Sequence, residues 1–177
     1  MPADYHGFMG TNNIRIRHAG EADLVQINEI YNYYVINTPI TFDFEPVRPE
    51  ERVLWFERYA EGERHQLFVA EGEGRVLAYA DSHAFRAKRA YDTTVEFTVY
   101  CAHDATGRGI GTQLYKALFK ALEGQDLRLV IAGITLPNEA SLRLHERFGF
   151  EPAGVMHEVG RKFDRFWDVG WFEKRLG

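Results

Sequence analysis

The sequence predicts a mixed-sheet α/β fold with helices on both faces, and three observations carry the prediction. Apolar residues switch between a spacing of two and a spacing near 3.6 in the order β-α-α-β-β-β-α-β-α-β-β. The run Leu127–Thr135 is almost continuously apolar, as in a strand covered on both faces. A glycine cluster, "TGRGIG" from Thr106 to Gly111, stands between a β-rich segment and a long helical stripe.

The elements follow in order. "IRIRHA" from Ile14 alternates as a strand, and Glu21–Ile36 places Leu24, Ile27, Ile30, Tyr31 and Tyr34 at helical spacing. Thr38–Phe44 reads as an irregular loop or a short strand, followed by a helix from about Pro49 to Ala60. Two apolar runs flank Glu71-Gly72-Glu73-Gly74, which is a hairpin signal. Asp92–Cys101 is β-rich, with Val95, Phe97, Val99 and Cys101 on one face and Thr94, Glu96, Thr98 and Tyr100 on the other. After the glycines, Ile110, Leu114, Ala117, Leu118, Ala121 and Leu122 form an apolar stripe. Asn138 caps a helix running to about Phe148, which Gly149 stops. Two closing strands, joined at Gly160 and its basic neighbours, complete the chain. Their aromatics, Phe163, Phe166, Trp167, Trp171 and Phe172, suit either core or a partner surface.

At 177 residues, with no linker-like tract or repeat, the chain reads as a flexible tail over 1–13 and one domain over 14–177. A net charge of −5 argues against a general binder of nucleic acid or membrane surfaces, which needs a basic face. No apolar stretch approaches the roughly 20 residues that span a bilayer, and the start lacks the pattern of a secretory signal. A cytoplasmic protein is expected. The lone Cys101 excludes an intramolecular disulfide and a multi-cysteine metal site, and no metal is expected.

A helix that starts directly after a glycine turn aims its unpaired N–H groups and the positive end of its dipole forward, and so makes an anion site. Two familiar owners fail on spacing. Gly111 is followed by Thr-Gln, without the lysine of a P-loop, and the glycine spacing is not G-x-G-x-x-G with an acid about 20 residues on. A diphosphate approached by backbone amides remains, next to a strand whose edge can pair with an amide-bearing arm; coenzyme A fits.

At this point "VYCAHDATGRGIGTQLYKAL" resembles the pyrophosphate-binding motif [QR]-x-x-G-x-[GA] of the GNAT N-acetyltransferase family, with Gly109 and Gly111 in the glycine places and Thr106 in the Gln/Arg place. "NEASLRLHERFGF" resembles the family's second motif, through Asn138, Ser141, His145, Gly149 and Phe150. "YVINTPITFDFEP", "FRAKRAYDTTVEFTVY" and "GRKFDRFWDVGW" are similar to the phosphinothricin acetyltransferase branch, and the resemblance runs from Ile14 to the C-terminus.

The resemblance implies the GNAT fold, a mostly antiparallel sheet of about seven strands, and an acyltransferase that moves acetyl from acetyl-CoA to an amine. It makes Glu96 the base that takes the proton of the substrate ammonium, directly or through water. It sets His145 near the thioester sulfur, as an acid or a hydrogen-bond partner of the thiolate. The backbone of Val99, Tyr100 and Cys101 pairs with the pantetheine arm, and the turn from Gly107 through Arg108, Gly109, Ile110 and Gly111 to Thr112 seats the diphosphate, with Asn138, Ser141 and His145 on the adjacent helix. Phe42, Arg86, Lys88, Tyr91, Glu96, Phe97 and Thr98 line the acceptor pocket. Basic residues there suit a small acceptor bearing carboxylate and phosphinate or sulfonyl oxygens, such as phosphinothricin, methionine sulfone or methionine sulfoximine. A homodimer is implied as well. The alternatives are another amine (a protein N-terminus, a lysine or a polyamine) and a non-catalytic acetyl-CoA sensor.

Overall fold

The structure, a computed structural model, describes residues 14–177. The tail expected over 1–13 lies outside the described residues. Eleven elements follow in the expected order: β1 (Arg15–His18), α1 (Leu24–Asn37), α2 (Pro49–Phe56), β2 (Leu67–Gly72), β3 (Arg75–Ala84), β4 (Thr94–Cys101), α3 (Ile110–Ala121), β5 (Leu129–Leu136), α4 (Glu139–Arg147), β6 (Glu151–Lys162) and β7 (Arg165–Arg175). The strands form one seven-stranded sheet in the order β1-β2-β3-β4-β5-β7-β6. Every neighbouring pair is antiparallel except β4–β5. No helix among the described residues is long and apolar enough to cross a membrane.

Local chemistry explains the boundaries. Pro49 opens α2, where a missing N–H costs nothing, and Glu51 accepts from the Arg48 N–H at 3.0 Å. The β2–β3 turn uses Glu73 at φ +57° and Gly74 at +74°, which matches the twist of its flanking strands. Asn138 caps α4 by accepting the Ser141 N–H at 3.2 Å, and Gly149 ends it at φ +74°.

Alternation along β4 divides the molecule. Phe97 faces α3, with its ring 5.3 Å from Tyr115 and 5.0 Å from Phe119, whereas Tyr100 faces α1, 5.2 Å from Tyr31 and 5.3 Å from Tyr34. Helices therefore cover both faces of the sheet. The main core lies against α3, where Ile110, Leu114, Tyr115 and Leu118 are buried.

Two expectations change. β5 is covered unequally: Val130, Ala132 and Ile134 are buried on one face, while Gly133 on the other is exposed. Its second face is closed by β7 side chains, Trp171 standing 3.2 Å from where a Gly133 Cβ would sit, and not by a helix. The β6–β7 connection is not at Gly160 but at Phe163–Asp164, both at φ +53°. Gly160 lies inside β6, just after an irregularity that begins at Met156, and the Phe42 ring fills the space a Cβ there would need.

The feature that positions the site is where β4 and β5 part. They pair only at Thr94–Leu129, Val95–Val130 and Glu96–Ile131. Beyond Glu96, β4 pairs only with β3 and β5 only with β7. A wedge opens between the strands, with Glu96 at its apex.

Candidate active site

The first half of the site is backbone. Gly107 and Gly109 sit at φ +75° and +73°, a region costly for other residues, and Gly109 is the N-cap of α3 without any side-chain cap. The first bond into the helix runs from the Gln113 N–H to the Gly109 carbonyl at 3.4 Å. The N–H groups of Ile110, Gly111 and Thr112 precede it and point out of the helix end with its positive dipole. Gly111 is needed for closeness: a Cβ there would stand 3.2 Å from Leu144 of α4 and 3.8 Å from Val99 of β4. The Arg108 side chain turns away to Glu73 at 2.7 Å, leaving its backbone at the turn, and Arg147 reaches the Thr112 hydroxyl at 3.4 Å. Val99, Tyr100 and Cys101 form the edge of β4 that faces the wedge, with Tyr34 donating to the Cys101 carbonyl at 2.7 Å. An amide-lined anion seat beside a free strand edge fits a diphosphate carrying an arm of peptide-like amides. Burial pushes the Cys101 thiol up to about 11, so it is no thiolate nucleophile at neutral pH.

The second half is polar and centres on Glu96. Its side chain is 21% exposed, and burial raises its pKa, with the His83 charge pulling down, Asp81 pushing up and Arg86 pulling down. His83 and Asp81 are the cross-strand partners of Glu96 and Thr98. His83 Nε2 lies 3.8 Å from Glu96, its Nδ1 2.6 Å from Asp81, and Thr98 donates to the other Asp81 oxygen. Burial opposes protonation of His83, but the hydrogen bond and charge of Asp81, with Glu96 behind them, outweigh it and hold the imidazole above its ordinary value. A half-buried carboxylate whose pKa burial raises, with a neighbouring imidazole whose charge acts the other way, is equipped to accept a proton.

His145 is placed differently from the expectation. It is 3% exposed, with Nδ1 2.8 Å from the Ser141 carbonyl and Nε2 2.9 Å from the hydroxyl of buried Tyr115. A carbonyl only accepts, so Nδ1 carries the proton; burial lowers the pKa and keeps the ring neutral, so Nε2 accepts from Tyr115. In this arrangement both ring nitrogens are engaged within the protein. Asn138 and Ser141 share the cap of the same helix, and the Ser141 hydroxyl lies 3.4 Å from His145.

The expected acceptor residues scatter. Thr98 lines a cavity of about 320 Å³ between α1, α2, β3 and β4, and His83 links that cavity to Glu96. Arg86 is exposed above its neighbour Phe85 at 4.8 Å, and its charge reaches Glu96. Lys88 and Tyr91 are exposed and do not line the cavity. Phe42 lies on Gly160, outside it. Phe97 is a correction: it is 2% exposed in the core behind β4, because odd residues of that strand face α3 while Glu96 faces α1 and α2. Sequence reasoning missed Asp81 and His83, although "YADSHAF" puts polar residues two apart in an apolar strand, a period-two signal for one shared face.

Comparison with known proteins places the chain in a family. The family model described as "Acetyltransferase (GNAT) domain" matches residues 16–171. A phosphinothricin N-acetyltransferase of Streptomyces coelicolor is 52% identical over 94% of this chain and 99% of its own length. An L-methionine sulfoximine/L-methionine sulfone acetyltransferase of Pseudomonas aeruginosa is 38% identical over 91% and 94%. The crystal structure of a GNAT superfamily phosphinothricin acetyltransferase from Sinorhizobium meliloti in complex with acetyl-CoA superposes with a TM-score of 0.87 at 34% identity, covering 93% of this chain and 89% of that one. The chain therefore belongs to the GNAT acetyltransferase family and is an N-acetyltransferase with acetyl-CoA as cosubstrate.

Proposed function

We propose that this enzyme acetylates the free amino group of a small amino-acid-like acceptor, such as phosphinothricin, methionine sulfone or methionine sulfoximine, by direct transfer within a ternary complex. The observation that carries the reading is the placement of Glu96 at the apex of the β4–β5 wedge, joined through His83 to a cavity of about 320 Å³, the lower range of small-ligand sites. The α3 N-terminus and the β4 edge hold the acetyl-CoA diphosphate and arm. Glu96 takes the ammonium proton, the amine nitrogen attacks the thioester carbonyl, and the adduct collapses by breaking its C–S bond, so that coenzyme A leaves as the thiolate and takes up the second proton of the attacking nitrogen. The acceptor class is supported by the activities named for the similar proteins of S. coelicolor and P. aeruginosa. A homodimer in the cytoplasm completes the proposal, and the exposed Val155, Met156 and Val159 of the outer strand β6 offer surface for it, which light scattering tests.

The test is release of free thiol from acetyl-CoA across an amine panel. Fast release with phosphinothricin or methionine sulfone, and slow release with polyamines or peptide N-termini, is expected. The reverse order overturns the acceptor class. Cofactor binding without thiol release on any amine would make the protein a sensor.

A further inference from the structure

The cavity beside Glu96 contains a buried arginine that makes no direct ion pair among the described residues, with Asp43 and Asp81 elsewhere on the same lining. Arg52, in α2, is 4% exposed and takes part in none of the ion pairs among the described residues. Its Nε donates to Asn28 at 3.0 Å, and its guanidinium lies 4.4 Å from the Trp55 ring and 4.9 Å from the Tyr31 ring. Asn28 is itself fixed, donating to the Val47 carbonyl at 2.8 Å. These contacts set the plane of the guanidinium but use one of its five N–H donors. The four on its terminal nitrogens have no protein acceptor, and Arg52 lines the cavity. The Tyr59 hydroxyl, another group of the cavity wall, is buried without a hydrogen bond. A buried, unpaired charge is costly, and a pre-oriented guanidinium matches the two oxygens of a carboxylate.

We infer that Arg52 reads the carboxylate of the acceptor, so that the cavity holds the acid end of an amino acid while its amino group lies towards Glu96. The inference rests on the proposed acceptor class and assigns acid recognition to α2. The exposed Arg86–Lys88 loop, where basic residues were expected to do this, does not line the cavity. The Asp81 carboxylate at the β3–β4 wall, hydrogen-bonded to His83, stands at the end of the same cavity nearer the base, where the amino group of a zwitterion would lie.

Calorimetry with methionine sulfone and its primary amide, on protein saturated with coenzyme A, tests this apart from turnover. The wild-type chain should prefer the acid at least tenfold. Arg52→Gln should weaken the acid by at least about thirtyfold, the cost of removing one partner of a buried charge pair, and the amide by less than about threefold. Arg52→Lys keeps a stem between the two rings and a charge but loses the fork; with unchanged coenzyme A affinity as proof of fold, it should weaken the acid about tenfold. Equal losses for acid and amide, or an acid preference that survives in both variants, overturn the assignment to Arg52 while leaving the acceptor class intact. A wild-type chain that neither binds nor acetylates the sulfone overturns both.

Discussion

Gly160→Ala isolates one contact between β6 and the loop joining α1 to α2. A Cβ at Gly160 would stand 2.2 Å from Phe42 Cε2 and 2.3 Å from Cζ. Ordinary carbon–carbon contact begins near 3.5 Å, so the ring must retreat by about 1.3 Å. The backbone is not the obstacle, since Gly160 is not among the glycines at positive φ. The loop that carries the ring is pinned. Lys162, 3% exposed, donates to the Val35 carbonyl at 2.6 Å and the Thr41 carbonyl at 2.8 Å, and the Thr41 hydroxyl bonds Tyr31 at 2.8 Å. Overpacking of this kind costs about 1–3 kcal/mol, which in a domain of this size lowers Tm by roughly 2–10 °C. Differential scanning calorimetry reads the shift, and kinetics should show a higher KM for the acceptor with an unchanged KM for acetyl-CoA. Adding Phe42→Ala to Gly160→Ala should restore most of the lost Tm, because the ring is the clashing partner. A single variant as stable as the wild type, or a double variant with no recovery, would refute the contact.

Two further perturbations separate chemistry from structure. His83→Gln removes the imidazolium 3.8 Å from Glu96 that favours the carboxylate. The pKa of Glu96 then rises further, so the acid limb of kcat/KM moves to higher pH; activity falls most at low pH, and an unmoved limb counts against the coupling. His145→Phe orphans the Tyr115 hydroxyl and should cost about 1–3 kcal/mol of stability by chemical denaturation. Thiol release per folded enzyme should stay within severalfold of wild type, and a loss of about a hundredfold in a fully folded variant would restore His145 as the acid.

The elements were legible because strong local signals agreed: the period-two strand ending at Cys101, the amphipathic stripe of α3 and the Asn138 and Gly149 boundaries of α4 all appear in place. The glycine turn was legible for the same reason, since positive φ at Gly107 and Gly109 is a property of the backbone that the residue type announces. Most of what failed depends on contacts remote in sequence. Gly160 looks like a turn residue, but it is a glycine because Phe42, more than a hundred positions earlier, lies on it. His145 was read from its spacing along α4, whereas its partners are set by Tyr115 of α3. Arg52 carries no sequence signal, because a surface arginine and a buried one without a counter-ion look alike until Tyr31, Trp55 and Asn28 are brought around it. Phe97 follows from alternation alone, since a residue next to Glu96 in a strand points to the other face.

The central claim is that Glu96 is the base of an acetyl transfer, and the Glu96→Gln variant tests it most directly, with acetyl-CoA affinity by calorimetry and thiol release measured on the same protein. Affinity should be unchanged, because the proposed seat of the cosubstrate is the glycine turn and the β4 edge and not Glu96. Turnover should fall by roughly two orders of magnitude or more, the share a positioned base supplies, and should lose the acid limb of its pH profile. Wild-type turnover with an intact acid limb would contradict the account.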